Sequence, residues 1–407
     1  METTLPNLRH LRAFVEVAER RSISRAAPRV FLSQPAITQA IGKLEELLQT
    51  RLFERRNDGM LPTEGGSLFA VRVGRALTLV RCGAQDALRA VPERTNRPVA
   101  PPEQMFTTTQ LRALVAVANA GNFSLAARAI GTSQPALHRA ARELEGLLAT
   151  KLFERTHQGI ELTRPGQILA QQCKLAFAEL AQGFAEMRAL NGRDTGRIVV
   201  GAMPLSRHFI LPKAINALAG ELPEVGVHEV DGPYDELLHG LRHGEIDFLV
   251  GALRNPLPVD DIVQERLFDD PLAIVARAGH PLKGKRNLTI RDLAAYSWIV
   301  PRSGTPTRDQ FDAMFRSQRI ATPGGIVESS SLILIRALLL DSDRLTLISP
   351  HQIRLEEDQG LLATLAYDLK RSRRPIGITT RRDWHPTATQ SRFLELVRKA
   401  SGYLKNE

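Results

Sequence analysis

The stretch Ser33-Gln34-Pro35-Ala36 returns unchanged as Ser133-Gln134-Pro135-Ala136, 100 residues further along the chain. The match extends well beyond these four residues, and no gap is needed anywhere along it. At the same spacing, Leu11-Arg12-Ala13 returns as Leu111-Arg112-Ala113, and Leu52-Phe53-Glu54-Arg55 returns as Leu152-Phe153-Glu154-Arg155. A repeat of this length indicates two copies of one folded unit.

The local pattern of each copy is a pair of short helices joined by tight turns. In the second copy, apolar residues recur at helical spacing before the turn Ala120-Gly121-Asn122. Ser124 is predicted to cap the next helix and Ser133 the one after it, because a serine hydroxyl satisfies free backbone N–H groups at a helix start. Pro135 lies in the first turn, where its missing N–H costs little. This pattern predicts a helix-turn-helix DNA-binding module.

The second helix of such a motif enters the major groove, where Gln recognises adenine and Arg recognises guanine through paired hydrogen bonds. The predicted DNA-facing residues of the two helices are Ser33, Gln34, Pro35, Thr38, Gln39 and Lys43, and Ser133, Gln134, Pro135, His138, Arg139 and Arg142. Each helix is followed by two short strands around a glycine turn, which indicates a β-wing. Its basic residues are expected to meet phosphates or a minor groove: Arg55, Arg56, Lys151, Arg155 and His157.

The positive charge of the chain lies mainly on the repeats. Of a net charge of +10, residues 1–193 contribute an excess of nine, with 26 Lys+Arg against 17 Asp+Glu, and the remainder is nearly balanced. Clustered positive charge is typical of a protein with a polyanionic partner, so we expect double-stranded DNA as that partner.

The segments SQPALHRAARELEGLLATKLFERTHQGIELTRPGQ (133–167) and AAPRVFLSQPAITQAIGKLEELLQTRLFERRNDGMLPTEGG (26–66) resemble the winged helix-turn-helix of LysR-type transcriptional regulators. The helical stretches that follow, 65–91 and 165–190, fit the linker helices through which that family dimerises. The resemblance implies a regulator that forms a homodimer or homotetramer.

The chain departs from the family pattern because it carries two modules instead of one. Between them, Pro92 to Pro102 is predicted to be a semi-rigid linker. The first copy is the weaker one, since Pro28 interrupts its first motif helix and Gly42 weakens its recognition helix. One interpretation is that both copies bind DNA at different sequences, and the alternative is that the first copy serves only in dimerisation.

From Arg197 onwards strands and helices alternate, which predicts an α/β domain with mainly parallel strands. The order resembles the effector-binding half of LysR-type regulators, a two-subdomain fold of periplasmic-binding-protein type. The phrase Gly251-Ala252-Leu253-Arg254 is similar to a branch of the family tied to sugar uptake and aromatic-acid catabolism. The implied effector is a small molecule, either a sugar or an organic or aromatic acid.

Candidate effector contacts follow from the family pattern and from hydroxyl groups at strand ends, where helix N-termini favour anions. These candidates are Ser206, Tyr234, Ser303, Thr305 and Ser330. For each hydroxyl the alternative role is that of a helix cap.

The expected fold is therefore multidomain, with two mainly α-helical winged helix-turn-helix domains followed by a two-subdomain α/β effector-binding domain. The predicted boundaries are 5–64 and 105–164 for the modules, 65–91 and 165–192 for the linker helices, 92–104 for the linker, and 196–401 for the effector domain. Within the last, subdomain I is expected at 196–265 and 345–401, and subdomain II at 266–344.

Other classes of function find little support in the sequence. P-loop, GxSxG and HExxH motifs are absent, so neither an enzyme nor a cofactor nor a metal site is expected. No apolar run is long enough for a membrane span and no export signal is evident, and two cysteines, Cys82 and Cys173, fit a reducing cytoplasm. The rival hypothesis is an architectural, nucleoid-type protein of low sequence specificity, which would leave the α/β half without a role.

Overall fold

The structure is a computed structural model that describes residues 5–56, 59–91, 101–157, 159–192, 195–369 and 372–404. The chain divides into two compact units. The N-terminal unit extends to Arg197 and includes a short turn at 243–245, and the C-terminal unit holds residues 198–242 and 246–407. No helix in the ranges just given is both long and apolar enough to cross a membrane.

The N-terminal unit contains the same series of elements twice. The first series is α1 (Leu8–Arg20), α2 (Ile23–Val30), α3 (Gln34–Leu48), β1 (Phe53–Arg56), β2 (Gly59–Pro62) and α4 (Glu64–Arg89). The second is α5 (Thr108–Ala120), α6 (Phe123–Ala129), α7 (Gln134–Leu148), β3 (Phe153–Thr156), β4 (Gly159–Leu162) and α8 (Arg164–Leu190). We call residues 5–62 module 1 and residues 105–162 module 2.

Helix caps account for most of the element boundaries in both modules. Ser33 and Ser133 accept hydrogen bonds from the backbone N–H groups of Ala36 and Ala136, as the sequence predicts. The prediction for Ser124 is wrong: α6 begins one residue earlier and its cap is Asn122, whose side chain accepts from two backbone N–H groups. Pro28 does not end α2, which continues to Val30.

Each wing packs against the turn between the first two helices of its module. In module 1 the N–H of Met60 donates to the carbonyl of Arg21, and in module 2 Ile160 donates in the same way to Gly121, both at 2.9 Å. The wing glycine, Gly159, has φ +135°, and a Cβ there would lie 2.8 Å from the Gly121 carbonyl oxygen. Only glycine fits this close approach.

The core of module 1 is continuous with the long helices. The Phe14 ring lies 5.5 Å from both the Phe53 and the Phe69 rings, and Phe69 in turn lies 5.6 Å from Phe184 in α8. The helices α4 and α8 pack side by side and run antiparallel, since the start of each contacts the end of the other. Module 2 has a smaller apolar cluster of its own, centred on Val117 and Leu137.

The predicted linker falls mostly outside the described residues, which omit 92–100. Its last part is described: Pro102–Gln104 forms a 3-10 turn in which Pro102 is buried. The Arg12 guanidinium of α1 donates to the carbonyls of Glu103, Gln104 and Phe106, so this segment is held against module 1.

The C-terminal unit has two five-stranded mixed sheets. One has the order β6-β5-β7-β14-β8, made of β6 (Gly226–Asp231), β5 (Arg197–Ala202), β7 (Phe248–Ala252), β14 (Arg374–Arg381) and β8 (Ile262–Asp270). The other has the order β11-β10-β12-β9-β13, made of β11 (Val327–Glu328), β10 (Trp298–Val300), β12 (Leu345–Ile348), β9 (Ala273–Arg277) and β13 (Leu362–Thr364). The helices are α9 (Leu211–Glu221), α10 (Tyr234–Arg242), α11 (Ile290–Ala294), α12 (Pro306–Ser317), α13 (Leu332–Leu340), α14 (Arg354–Asp358) and α15 (Ala388–Gly402).

The two sheets define the two subdomains, but the expected boundaries between them are too early. Strand β8 stays in the first sheet up to Asp270 instead of ending at 265. The segment from 345 does not return to subdomain I, because β12 and β13 pair antiparallel with β9 in the second sheet. The chain re-enters the first sheet only at Arg374. Local sequence does not distinguish these strands, since both sheets have equally apolar strand interiors.

Candidate nucleic-acid interface and effector cleft

The predicted DNA-facing residues lie on the exposed faces of the recognition helices α3 and α7 and of the wings. All sixteen are exposed, namely Ser33, Gln34, Pro35, Thr38, Gln39, Lys43, Arg55 and Arg56 in module 1, and Ser133, Gln134, Pro135, His138, Arg139, Arg142, Lys151 and Arg155 in module 2. The opposite faces of the two helices are buried through residues such as Ile37 and Leu137. The helices therefore present a polar, basic surface to solvent while their apolar faces fix their orientation.

Helix α7 and its wing form a groove of about 450 Å³. Its polar lining includes Gln134, His138, Arg142, Lys151 and Arg155. The apolar floor contains Phe123 and Phe153, whose rings are 5.7 Å apart, and the His138 ring lies 5.1 Å from Phe123. The groove brings the predicted base-facing and phosphate-facing groups of module 2 to one surface.

A carboxylate, buried at Glu145 and partly buried at Glu45, holds each wing to its recognition helix. Glu145 accepts hydrogen bonds from the backbone N–H groups of Leu152 and Phe153 at 2.8 and 3.2 Å, and Glu45 does the same for Leu52 and Phe53. Because each wing is fixed to the helix it follows, the wing cations and the helix side chains move as one body.

The side chains on α7 are more constrained than those on α3. The Ser124 hydroxyl donates to the amide oxygen of Gln134 at 2.9 Å, which orders that side chain. Arg142 pairs with Glu145 at 2.8 Å. In module 1 the equivalent Ser24 bonds Ser22 instead, and the position of Arg142 is taken by Gly42.

The five candidate effector residues do not share one environment. Ser206 is fully buried and its hydroxyl bonds the carbonyls of Met203 and Val250, so it holds the backbone after β5 and is not available to a ligand. Thr305 is the cap of α12, because its hydroxyl accepts from the Arg308 N–H and donates to the Arg302 carbonyl. For these two residues the structure supports the capping or backbone-bonding alternative.

Three candidates remain whose hydroxyl groups could bind an effector, namely Tyr234, Ser303 and Ser330. Ser303 and Ser330 are exposed, and within the described ranges their hydroxyls make no hydrogen bond. The Tyr234 hydroxyl is buried and also lacks a partner there. Burial raises the pKa of Tyr234, so its hydroxyl stays protonated and is a hydrogen-bond donor.

Arg254, just beyond β7, completes this group and is the residue that sequence analysis did not select. Its guanidinium carbon lies 4.4 Å from the centre of the Tyr234 ring, and the part of the chain that is described offers it no ion pair. Burial lowers the pKa of Arg254, while Tyr234, Asp235 and Asp309 of α12 act in the opposite direction. The sequence did contain a signal that could have identified Arg254, because it is a cation that directly follows a predicted strand, where ligands bind in such folds.

A buried ion pair connects the strands that cross between the subdomains. Asp270, at the end of β8, has no solvent exposure and pairs with Arg374 at 2.8 Å. Ser349 donates to the same carboxylate at 2.5 Å, and Arg374 also donates to Thr307 in α12 at 2.7 Å. These bonds fix the crossover on the side of the C-terminal unit where Thr305 and Arg254 lie.

Comparison with known proteins agrees with this architecture. Residues 8–67 and 108–167 both match the bacterial regulatory helix-turn-helix protein of the lysR family, and residues 191–402 match the LysR substrate binding domain. The HTH-type transcriptional regulator GalR of Pseudomonas putida is 35% identical over 381 residues, which is 94% of each chain. The uncharacterised regulator YdcI of Escherichia coli is 29% identical over 297 residues, and the match covers 96% of YdcI but 73% of this chain. A full-length OxyR variant of Pseudomonas aeruginosa has 25% identity and a TM-score of 0.53, covering 73% of this chain and 94% of its own.

Paired winged helix-turn-helix modules followed by a two-subdomain α/β unit define a DNA-binding transcription regulator with a domain for a small-molecule effector. The chain belongs to the LysR family of transcriptional regulators. Its relatives are regulators, and one of them extends over both modules, whereas YdcI lacks a segment about the size of one module.

Proposed function

We propose that the protein adjusts transcription in response to a small organic acid whose carboxylate binds Arg254. The observation that carries this proposal is a half-buried guanidinium stacked on a tyrosine with a buried hydroxyl, neither of which finds an ion-pair or hydrogen-bond partner among the described residues. A carboxylate accepts two parallel hydrogen bonds from a guanidinium and a further one from a phenol. The exposed hydroxyls of Ser303 and Ser330 offer additional donors to polar substituents of the acid.

The same groups argue against a neutral sugar as the effector. A sugar hydroxyl does not neutralise a partly desolvated guanidinium, so the arginine would keep an uncompensated charge in the complex. A carboxylate removes that penalty and forms charge-assisted bonds, which are about twice as strong as neutral ones. The Arg254 site therefore favours the organic or aromatic acid over the sugar.

On the DNA side, we propose that the exposed residues of α3 and α7 contact base edges and that the wing cations contact phosphates. The protein would act in the cytoplasm, where its DNA partner lies, without catalysing a reaction, and it would self-associate as a homodimer or homotetramer. The relatives are transcription regulators, which favours this role over an architectural one.

Calorimetric titration of the full-length protein tests the effector class. Aromatic and aliphatic carboxylates are compared with their own amides and with neutral sugars. We expect a carboxylate to bind and its amide to fail, and Arg254→Met to weaken binding by about tenfold or more, the loss of one charge-assisted hydrogen bond. Arg291→Met, at an exposed arginine in α11, is the matched control. Tight binding of a sugar, or a carboxylate that binds Arg254→Met unchanged, would disprove the acid hypothesis.

Selection of genomic DNA fragments by the wild-type protein tests the DNA side independently of the effector. A regulator enriches a small set of sites, typically 10³-fold or more over other duplexes. Equal recovery of all fragments would instead identify an architectural protein.

A further inference from the structure

The helices α4 and α8 are related by an approximate two-fold axis within one chain. A Cβ on Gly83 would meet the side chains of Gln172 and Leu169. A Cβ on Gly183 would meet those of Arg72 and Phe69, which are the equivalent positions 100 residues earlier. Reciprocal contacts of this kind define an isologous interface, as between two identical subunits. Here both partners belong to one polypeptide.

The interface contains a buried charge cluster that breaks this symmetry. Arg72 is 5% exposed and pairs with Glu179 at 3.1 Å and with Glu186 at 2.5 Å. It also donates to the amide oxygen of Gln182 at 2.9 Å. Arg75 donates to the second oxygen of Glu179 at 3.0 Å. Desolvation lowers the pKa of Arg72, but the hydrogen bonds that Arg72 donates to Glu186 and Glu179, with the charges of these carboxylates, outweigh it and raise the pKa.

The equivalent positions on the other side of the axis do not form such a cluster. In the alignment of the repeats, Arg72 corresponds to Gln172 and Arg75 corresponds to Leu175. The counterparts of Glu179, Gln182 and Glu186 are Leu79, Cys82 and Asp86, and Asp86 is exposed and pairs with Arg89 of its own helix. The cations of the cluster thus come only from α4 and the buried anions only from α8.

We propose that a single chain forms a complete paired-module DNA-binding unit by joining α4 to α8 in cis, and that the cluster around Arg72 prevents either helix from pairing with its own kind. Two α8 helices would bury two Glu179 carboxylates against Gln172 and Leu175, without a cation. Two α4 helices would place Arg72 and Arg75 against Leu79 and Cys82, with the single carboxylate of Asp86 for the two cations. A buried charge without its partner is strongly destabilising, so both symmetric pairings are disfavoured.

A second asymmetric contact supports the pairing of unlike helices. At the end of α8 the Asn191 amide donates to the Thr50 hydroxyl at 2.7 Å. The equivalent hydroxyl, that of Thr150, is buried and has no partner among the described residues. The residue equivalent to Asn191 is Val91, which has no polar group to offer. Among the described residues, this hydrogen bond between a module and the opposite long helix therefore has no counterpart on the other side of the axis.

Pairing in cis has a direct consequence for DNA. One chain presents α3 and α7 together, and these helices expose different side chains. A single chain is therefore expected to occupy two unlike half-sites, in contrast to the palindromic sites that match a symmetric dimer. Pairing requires neither an effector nor Arg254, so its failure would leave the proposed effector site unaffected.

A disulfide distinguishes pairing in cis from pairing between chains. Thr50→Cys and Asn191→Cys are combined in full-length protein with Cys82→Ser, while Cys173 is retained because its burial raises the pKa of its thiol and keeps it unreactive. After mild oxidation and denaturation, pairing in cis gives a product with the mass of one chain and no free thiol at either position. A product of double mass would mean that the helices are exchanged between chains, and no disulfide at all would contradict the pairing itself.

Charge variants of the disulfide reporter test the role of the cluster. Arg72→Gln, which copies the residue at position 172, and Arg72→Glu are expected to slow disulfide formation in cis, the latter by about tenfold or more, the minimum expected for an unpaired buried charge. Adding Glu179→Arg and Glu186→Arg to Arg72→Glu, together with Arg75→Glu so that no cation of α4 faces the new arginines, should restore the rate. Arg81→Glu, at an exposed position of α4, is the control. Circular dichroism confirms that each variant is folded.

A mixing experiment completes the test. Chains that carry Arg72→Glu and Arg75→Glu are mixed with chains that carry Glu179→Arg and Glu186→Arg, with one reporter cysteine on each. If the mixture forms disulfides of double mass as fast as the restored single chain forms its own, pairing in cis is wrong. An equal rate for Arg72→Glu and wild type would show that the cluster does not select the partner.

Discussion

The two modules of the N-terminal unit share a framework and differ in the surface that they offer to DNA. Glu45 and Glu145 make the same pair of hydrogen bonds to the backbone of their wings. On the exposed helix faces, Thr38 corresponds to His138 and Gly42 to Arg142. The difference shows that folding constrains both copies equally while the DNA-facing positions are free to diverge. Two copies of one fold thus present two different exposed surfaces.

Orientation of the side chains differs as well. Gln134 is held by Ser124, while in module 1 the equivalent serine, Ser24, bonds Ser22 instead. A side chain that is already ordered loses less rotamer entropy when it binds a base. We therefore expect module 2 to contribute more selectivity than module 1.

The largest effect is expected from core substitutions that separate the two modules. Phe14→Ala removes a ring that contacts Phe53 and Phe69, and it should lower the free energy of unfolding by about 3–5 kcal/mol. Leu137→Ala should cost about 2–5 kcal/mol in the separate cluster of module 2. Hydrogen exchange should show lost protection in α4 and α8 for the first variant and in α5 to α7 for the second. Identical patterns would mean that the modules unfold as one.

Removal of the wing carboxylates should have nearly equal effects in the two modules. Glu145→Gln and Glu45→Gln each weaken two charge-assisted hydrogen bonds, so we expect a loss of about 1.5–3 kcal/mol in the free energy of unfolding for each. Only Glu145 also pairs with Arg142, which is 63% exposed, and an exposed pair adds at most about 1 kcal/mol. Chemical denaturation measures the difference. A gap of several kcal/mol would show that the exposed pair matters more than its burial suggests.

The recognition helices should differ in their response to truncation. Arg139→Ala should weaken operator binding by about 1–3 kcal/mol and relax the preference at one base pair, because a guanidinium recognises guanine through two hydrogen bonds. Gln39→Ala, the equivalent change in module 1, should cost less. Binding to a library of operator variants measures both. If only the second variant weakens binding, module 1 is the main specificity element.

The smallest effect is expected from adding a cation to module 1. Gly42→Arg copies Arg142, and a Cβ at this position meets no atom within 4 Å, so the change is sterically open. It should steepen the dependence of log K on log salt by about 0.9, the release of one counterion. Gly42→Gln is the control, because it raises the helix propensity at this position as Gly42→Arg does but adds no charge. An unchanged slope for Gly42→Arg, with the fold intact, would indicate that this face of module 1 does not lie against phosphate and would support a role in dimerisation alone.

Local rules were sufficient for most of the module fold. The caps at Ser33 and Ser133 depend on a hydroxyl next to a helix start, and this information is contained in a few neighbouring residues. The same reasoning failed at Ser124, because Asn122 starts the helix two residues earlier and caps the N–H groups of Ser124 and Leu125, so that Ser124 lies inside the helix. The pairing of α4 with α8 joins residues more than 80 positions apart, such as Gly83 and Gln172, so no local pattern specifies it.

In the C-terminal unit the sequence predicted two α/β subdomains but not the assignment of every strand. Leu345–Ile348 and Leu362–Thr364 are as apolar as the strands of the first sheet, and only their pairing with β9 assigns them to the second. Ser206 was selected for its hydroxyl, and its two carbonyl contacts are visible only in three dimensions. Arg254 was missed because its importance depends on Tyr234, which follows a different strand.

The one-sided cluster at Arg72 also affects how such a chain changes over generations. In a symmetric dimer every mutation at the interface is present in both subunits, and a new charge close to the two-fold axis lies next to an identical charge from the partner subunit. After duplication within one gene, each mutation enters the interface once, so an arginine arising on one helix and a glutamate on the other accumulate as a compatible pair. Each half of the DNA surface likewise diverges without changing the other. Under the proposed pairing in cis, fusion of the two copies therefore replaces a symmetric interface by one whose two sides evolve separately. The pairing of the two modules then no longer depends on protein concentration.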